Sequence, residues 1–240
     1  MSLIVAENIE KKYGTGEAAV SAISEVSFSI AAGEFVAVMG ESGAGKSTLL
    51  SVMGAMNAPT TGRYVVDGID VYKLGSEQRA DFRREFLGFI FQSFHLVPYL
   101  TVIENVMLPL AVVRAPKQKK RAMAEAALES VGLLKKAGRL PNQISGGEKE
   151  RVAIARAVVN EPPLILADEP TGNLDSETSR EIMELLTRLN AAGSTIVMVT
   201  HSSVSAGYAG RTLRVSDGRL MGGNGKGKVA ADVIPLAAYN

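Results

Sequence analysis

The chain has 240 residues, a length that accommodates one large domain or two small ones. Its hydrophobic fraction of 46% and charged fraction of 21% are typical of a globular protein, and its net charge of +1 gives no support to nucleic-acid binding, which usually requires a basic excess. The lack of cysteine excludes disulfides and thiolate metal sites, and two histidines argue against a histidine-rich metal site.

The N-terminal sequence MSLIVAENIEKKYG has no basic region followed by a long apolar run, so it is not expected to be a secretory signal. The longest apolar stretch, Val106–Val113, is too short to span a bilayer. We therefore expect any action at a membrane to take place from the cytoplasmic side or through a partner.

The first third of the chain predicts short strands and turns. The segments LIVAENI and VSFSI favour strands, and the apolar strand of residues 34–40 runs into a glycine that precedes the helix STLLSVMGAM. Residues 62–71 predict a hairpin that turns at Asp67-Gly68, and GFIFQ predicts a further strand.

Helix formers dominate from Thr101 to about Val159, and KQKKRAMAEAALESVGLL is amphipathic. The basic run Arg114–Arg121 is interpreted as a solvated helix start, with a contact to anionic lipid headgroups as the alternative. In the last third, buried strands at 164–169 and 194–201 flank the helix SETSREIMELLTRLNAAG, and a hairpin turns at Asp217-Gly218. Residues 223–240 predict a linker and a tail.

Apolar strands separated by helices predict an α/β fold with a parallel sheet covered on both faces. The helical middle, about residues 95–159, is interpreted as an α-helical subdomain inserted into that core. Ligands of such a sheet bind beyond the carboxyl ends of its strands, so the residues that follow each buried strand are candidates for the site.

The segment after the first buried strand fits the phosphate-binding pattern G-x-x-x-x-G-K-[ST] at residues 40–47. Its glycines allow backbone amides to wrap a phosphate, Lys46 is placed to bind the β- and γ-phosphates, and Ser47 offers a hydroxyl to Mg²⁺. The alternative is a plain glycine turn between a strand and a helix.

Two other strands also end in polar residues. Asp168 is expected to hold Mg²⁺ and Glu169 to act as the general base for the attacking water; the alternative is a pair of solvated or helix-capping acids. His201 is expected to reach the γ-phosphate, whereas a structural role is favoured for His95.

A second phosphate-binding arrangement is predicted at ISGGEKERVAIARA. Ser145 is expected to cap a helix and Glu148 to complete a capping box, and the two glycines between them are expected to leave the backbone amides bare.

Together these motifs resemble the ATP-binding-cassette (ABC) ATPase family over residues 1–222, interpreted as a single nucleotide-binding domain. The resemblance implies a P-loop NTPase core with a mainly parallel sheet, an N-terminal antiparallel β subdomain and the inserted helical subdomain. It assigns adenine stacking to Tyr13 and phosphate binding to Gly40, Glu41, Ser42, Gly43, Ala44, Gly45, Lys46, Ser47 and Thr48. It assigns the family signature to Ser145, Gly146, Gly147 and Glu148, and the loop that couples two sites to Asn173, Leu174 and Asp175.

The resemblance further implies ATP and Mg²⁺ as cofactors, with the metal held by Ser47, Gln92 and Asp168. Glu169, His201, Lys46 and Gln92 are the implied catalytic residues. In this family two cassettes meet head to tail, so that each ATP lies between the phosphate loop of one copy and the signature of the other. Because this chain carries both half-sites, a homodimer is expected.

Three positions depart from the family pattern: Ile144 stands where leucine is usual, Glu148 where glutamine is common, and Ser202 where aspartate is frequent. None of them removes a group that the chemistry needs.

The segments GFIFQSFHLVPYLTVIENVMLPL and ADEPTGNLDS resemble the branch that contains lipoprotein-release, macrolide-export and cell-division ATPases. With no membrane helices fused, the resemblance implies a separate integral membrane permease that docks near residues 91–110, and a peripheral location on the cytoplasmic face of the inner or plasma membrane. Tyr99, Leu100 and Val102 either contact that partner or form the core of the insertion.

Two alternatives remain at this point. One is an ATP-dependent regulatory or assembly module that acts on a membrane or cell-wall partner without transport. The other is a cassette protein of translation or DNA repair, which is disfavoured because the chain has one cassette and no basic surplus.

Overall fold

The computed structural model describes residues 2–14 and 16–221, so the predicted linker and tail at 223–240 lie outside the described residues. Two compact units are present: one is formed by the chain before Arg84 together with the chain from Val199 onward, and the other is Arg84–Met198. The sequence-based division into one domain, with a helical insertion at about 95–159, stays a prediction.

The first unit contains an antiparallel sheet. Before Arg84, the unit contains β1 (Ser2–Tyr13), β2 (Val20–Ala31), β3 (Phe35–Met39), α1 (Lys46–Met53), β4 (Thr61–Val66), β5 (Ile69–Asp70) and the start of α2 (Ser76–Phe86). The sheet order is β2-β1-β4-β5. Asp67 and Gly68 have φ angles of 49° and 78°, which is the two-residue turn that the sequence predicted. This sheet confirms the expected antiparallel subdomain.

The second unit combines parallel strands with helices. It contains β6 (Leu87–Ile90), α3 (Val102–Met107), α4 (Lys117–Ser130), α5 (Gly146–Val158), β7 (Leu164–Asp168), α6 (Ser176–Ala191) and most of β8 (Thr195–Val199). Strands β6 and β7 are parallel, with Leu87 opposite Leu164. The first four residues of β7 are fully buried, as expected of a strand covered on both faces. Within the described ranges, no helix has the length and apolarity needed to cross a bilayer.

The chain then returns to the first unit with α7 (Ser203–Ala206), β9 (Arg211–Ser216) and β10 (Arg219–Met221). Strand β9 runs parallel to β3, with Val38 opposite Leu213, and β10 pairs antiparallel with β9. The amide of Thr200 donates to the carbonyl of Val38 at 3.1 Å, so the segment that leaves β8 lies beside the end of β3. The predicted α/β fold with parallel pairs is confirmed.

The starts of α5 and α6 pack closely within the second unit. A Cβ atom on Gly147 would lie 2.3 Å from Cγ2 of Thr178, a distance that real Cβ atoms do not reach. The hydroxyl of Thr178 is in turn fixed, because it donates to Asp175 Oδ2 at 2.6 Å. Gly147 is therefore required by helix packing.

Helix α5 also buries a carboxyl group. Glu150 is 1% exposed, and its Oε1 has no hydrogen-bond partner in the described part of the chain. Burial raises the pKa of Glu150 to about 8, and the nearby charge of Arg156 opposes that rise. The protonated form is therefore favoured in the folded protein well above the usual range of a carboxyl group.

We expect Gly147→Ala to destabilise the protein by about 2 kcal/mol, because the added methyl overlaps the methyl of Thr178. Thr178→Ser removes that methyl and keeps the hydroxyl that donates to Asp175. The double variant should therefore regain most of the lost stability in urea unfolding. If Thr178→Ser fails to rescue Gly147→Ala, the overlap is not the cause of the loss.

We expect the stabilising effect of Glu150→Gln to grow with pH. The unfolded chain loses the Glu150 proton near pH 4.5, while the folded protein keeps it until about pH 8, so the free energy of unfolding falls across that window. Glutamine does not titrate, so its advantage over Glu150 should be roughly 1–3 kcal/mol larger at pH 8.5 than at pH 5. Urea unfolding at both pH values measures this difference. Glu129→Gln, at an exposed position of α4, is the control, and identical pH profiles for the two variants would contradict the assignment.

Candidate functional site

The loop of residues 40–47 joins β3 to α1 and depends on glycine. Gly43 and Gly45 have φ angles of 81° and 97°, in the left-handed region that glycine adopts without strain. A Cβ atom on Gly45 would also lie 2.3 Å from the carbonyl oxygen of Ala22 in β2. Residues with side chains at these two positions would therefore distort the loop.

The same loop presents a cradle that fits an anion. The amino group of Lys46 is held inside it, donating to the carbonyls of Gly40 and Glu41 at 2.8 Å each, and Lys46 is only 7% exposed. Helix α1 begins at Lys46, and the residue before it, Gly45, provides no side-chain cap. Among the described residues, no acceptor is found for the amides of Gly43, Gly45, Lys46 and Ser47. Unpaired amides at a helix start beside a lysine suit a phosphate group.

Two other predicted residues belong to the first unit. Tyr13 ends β1 and is partly exposed, with Nζ of Lys11 5.1 Å from the centre of its ring. His201 is exposed and directly follows Thr200, whose amide is bonded to Val38 in β3. The phosphate loop and His201 thus leave the same edge of the first unit from adjacent segments.

In the second unit, the side chains of Gln92 and Glu169 meet at Gly172. A Cβ atom on Gly172 would lie 3.0 Å from Gln92 Nε2 and 3.3 Å from Glu169 Oε2. Asp168 is half-buried at the end of β7, and Glu169 follows it with a φ angle of 47°. A non-glycine residue in this region carries backbone strain, which is common at functional sites. The amide of Gly172 donates to the carbonyl of Glu169 at 2.9 Å and holds this bend.

The segment Asn173–Asp175 is fixed at both ends. Asn173 Nδ2 donates to the backbone oxygen of Gln92 at 3.0 Å. Asp175 caps α6 by accepting from the amides of Glu177 and Thr178 at 3.1 and 2.9 Å. Hydrogen bonds from the hydroxyl and amide of Thr178 hold the pKa of Asp175 below its usual range, so its carboxylate stays charged.

The predicted capping box at the start of α5 is confirmed. Ser145 Oγ accepts from the amide of Glu148 at 3.3 Å, and Glu148 Oε2 accepts from the amide of Ser145 at 3.0 Å. Ser145 and Gly146 are exposed, but Gly147 is buried against α6. Gly147 thus also serves helix packing, and the expectation that both glycines offer their amides to a phosphate stays a prediction.

A lysine and an arginine that the sequence analysis did not single out support these segments. Lys136 forms an ion pair with Glu148 Oε1. Arg156 of α5 donates to the carbonyls of Phe94 and His95 at 2.6 Å each. Phe94 and His95 both have left-handed backbones, with φ angles of 58° and 48°. The sequence signal that could have indicated this contact is a charged residue, Arg156, within the otherwise apolar run of α5.

The segment before α3 is also held by a buried side chain. Asn105 Oδ1 accepts from the amide of Val97 at 2.7 Å, and Asn105 Nδ2 donates to the carbonyls of Leu100 and Thr101 at 3.0 Å. Val102 is fully buried and belongs to the core, whereas Tyr99 is 79% exposed. The core reading therefore holds for Val102 and not for Tyr99, and a contact of Tyr99 with a partner stays a prediction.

Each unit thus carries part of the predicted site. The first unit holds Tyr13, the phosphate loop and His201. The second holds Gln92, the Asp168-Glu169 strand end, the signature and the segment Asn173–Asp175.

Comparison with known proteins identifies the family of this chain. The profile of the ABC transporter family matches residues 23–172. LolD of Geobacter metallireducens, a lipoprotein-releasing system ATP-binding protein, is 45% identical over 221 residues, which cover 92% of this chain and 98% of LolD. MacB of Paracoccus denitrificans, a macrolide export ATP-binding/permease protein, is 43% identical over 233 residues, which cover 97% of this chain and 35% of MacB. The chain therefore spans nearly all of LolD and about a third of MacB.

A solved structure agrees with these relatives. The ATP-binding cassette MJ0796, in a dimeric post-hydrolysis state bound to ADP and Pi, matches with a TM-score of 0.83 and 41% sequence identity. The match covers 91% of this chain and 97% of that chain. The chain belongs to the ABC transporter family and is an ATP-binding protein of the LolD and MacB type.

Proposed function

We propose that the chain hydrolyses ATP as the motor subunit of a transporter and powers a separate membrane permease through ATP-driven closure of a homodimer. The observation that carries this proposal is the presence in one chain of two helix starts suited to phosphate. One lies at the end of the loop of residues 40–47, where no acceptor for its amides is found among the described residues, and the other exposes Ser145 and Gly146.

ATP would bind with its adenine on Tyr13 and its phosphates in the loop from Gly40 to Thr48. Lys46 would then turn its amino group from the loop carbonyls toward the β- and γ-phosphate oxygens, where its charge stabilises the transition state. Glu169 would accept a proton from the water that attacks the γ-phosphorus, and His201 would donate to the γ-phosphate. The products are ADP and phosphate.

Mg²⁺ is the metal that fits the proposed residues. Ser47, Gln92 and Asp168 offer a hydroxyl, an amide oxygen and a carboxylate, all of which are hard oxygen ligands. In the part of the chain that the structure describes, no cluster of three acidic or histidine side chains could hold a metal by itself. Mg²⁺ usually binds through one or two carboxylates together with substrate phosphates. When bound, the ion neutralises charge on the phosphate oxygens.

The dimer would place the signature of one copy against the ATP of the other. The exposed start of α5, with the Ser145 hydroxyl and the amide of Gly146, would then complete the partner's site. The dimeric structures of MJ0796 support this arrangement. The dimer would close when ATP binds and open after hydrolysis, and this movement would drive the permease.

The permease would dock on the segment from Phe91 to Leu110. Within the second unit this segment exposes Tyr99 and Leu108, while Asn105 fixes the backbone beneath it. Exposed apolar side chains on a rigid support suit a protein partner. LolD and MacB, the one named for lipoprotein release and the other for macrolide export, suggest the type of cargo.

The chain would act at the cytoplasmic face of the inner or plasma membrane, held there through the permease. A regulatory or assembly module without transport is not favoured, because the named relatives are a lipoprotein-releasing and a drug-exporting protein. No role in nucleic-acid binding is proposed, since the net charge is +1.

We expect Glu169→Gln to bind ATP but to hydrolyse it at least about 100-fold more slowly, because glutamine cannot accept the proton of the attacking water. ATP should then convert the variant into a lasting dimer, measured by size-exclusion chromatography with light scattering. Glu129→Gln, on the exposed face of α4, should behave as the wild type. Wild-type turnover by Glu169→Gln would remove Glu169 from the role of base.

We expect Ser145→Arg to leave ATP binding by the monomer intact and to abolish dimerisation, because the long side chain fills the exposed helix start that faces the partner's phosphate. Binding of a fluorescent ATP analogue and sizing, both in the Glu169→Gln background, separate the two steps. Loss of binding by the monomer would instead assign this helix start a purely structural role.

A further inference from the structure

The signature helix carries an acidic residue where an anion is expected to bind. Glu148 lies in the first turn of α5, and its side chain is 15% exposed. Its carboxylate stabilises the helix start through the capping box and the helix dipole. The same negative charge would repel the γ-phosphate of an ATP that approaches this helix start from a partner copy.

Lys136 opposes that charge directly. Its amino group bonds Glu148 Oε1, while Oε2 accepts from the amide of Ser145, so both carboxylate oxygens are engaged. The hydrogen bond from Lys136 is the main cause that holds the pKa of Glu148 below its usual range, followed by that from Ser145. Arg151 adds a smaller contribution of the same sign.

The backbone that carries Lys136 is anchored. Lys136 ends a short helical turn, Leu134–Lys136. The next carbonyls along the chain, those of Ala137 and Arg139, accept from the amides of Ile103 and Val102 at 3.0 and 2.8 Å. Lys136 is therefore supported by the start of α3, and its charge stays beside the signature helix.

We propose that Lys136 is a positioning residue that neutralises Glu148, so that the signature can accept the phosphate of a second copy's ATP. This inference rests on the proposed function, because it requires the ATP-bound homodimer. Lys136 acts through Glu148 and need not touch the nucleotide.

The test uses the full chain in the Glu169→Gln background. The ATP concentration that gives half-maximal dimer is measured by sizing for Lys136→Ala, Glu148→Gln and the double variant, at low and high salt. The matched control is Lys135→Ala, which removes the neighbouring exposed charge of the same helical turn. Binding of a fluorescent ATP analogue to the monomer and the melting temperature are recorded for each variant.

Lys136→Ala should raise the half-maximal ATP concentration about two- to fivefold, within the range of a partly exposed ion pair, and Lys135→Ala should not. Monomer binding should be unchanged, and the shift should shrink at high salt. In the Glu148→Gln background, Lys136→Ala should have no further effect, since there is no charge to neutralise. Lys136→Arg should restore dimerisation.

Four results would overturn the inference. A shift that persists in the Glu148→Gln background would show that Lys136 acts elsewhere. A shift that accompanies a lower melting temperature, is independent of salt and is not restored by arginine would assign Lys136 a structural role alone. If the Glu169→Gln protein dimerises on ATP and Lys136→Ala causes no shift, the inference is refuted and the proposed function stands. If the Glu169→Gln protein itself does not dimerise on ATP, the proposed function and this inference are refuted together.

Discussion

Backbone amides at the starts of two helices are the groups on which the candidate site depends. A helix leaves its first amides without partners in its own ladder, and the sequence determines what satisfies them. At α1 the residue before the helix is Gly45, which offers no side-chain acceptor, so the amides remain available to a ligand. At α5, Ser145 and Glu148 satisfy part of the demand and keep the helix start in shape. The two starts therefore differ in how firmly they are formed before any ligand arrives.

Close packing of the backbone fixes the shape of both helix starts, those of α1 and α5. Gly45 lies against the backbone of β2 and also has a left-handed backbone, whereas Gly147 is required only by its contact with Thr178. The carboxyl groups near the start of α5 each have a different environment. The carboxylate of Asp175 caps α6 and that of Glu148 completes the capping box of α5, while Glu150 lies in the core with no partner for its Oε1 among the residues that the structure describes.

Much of this could be predicted from the sequence, because the informative residues lie close together along the chain. The apolar strands, the turn at Asp67-Gly68 and the capping box are local patterns, and each appears where it was expected. Helix α2 was not predicted, since Phe82 is its one buried residue and its sequence shows no apolar periodicity. The contact of Gly147 with Thr178 and the ion pair of Lys136 with Glu148 depend on how distant segments fold back on each other, which no local pattern encodes.

Arg156 links two segments of the second unit, helix α5 and the turn at Phe94 and His95. Its guanidinium donates to two consecutive carbonyls, those of Phe94 and His95, in a stretch whose left-handed backbone is strained and is held by its surroundings. The stretch begins two residues after Gln92, and Arg156 lies in the same helix as the signature. The segment after Gln92 and the helix that begins at the signature are therefore joined through one side chain. Loss of the Arg156 guanidinium would leave both carbonyls without that donor and release the left-handed turn from α5.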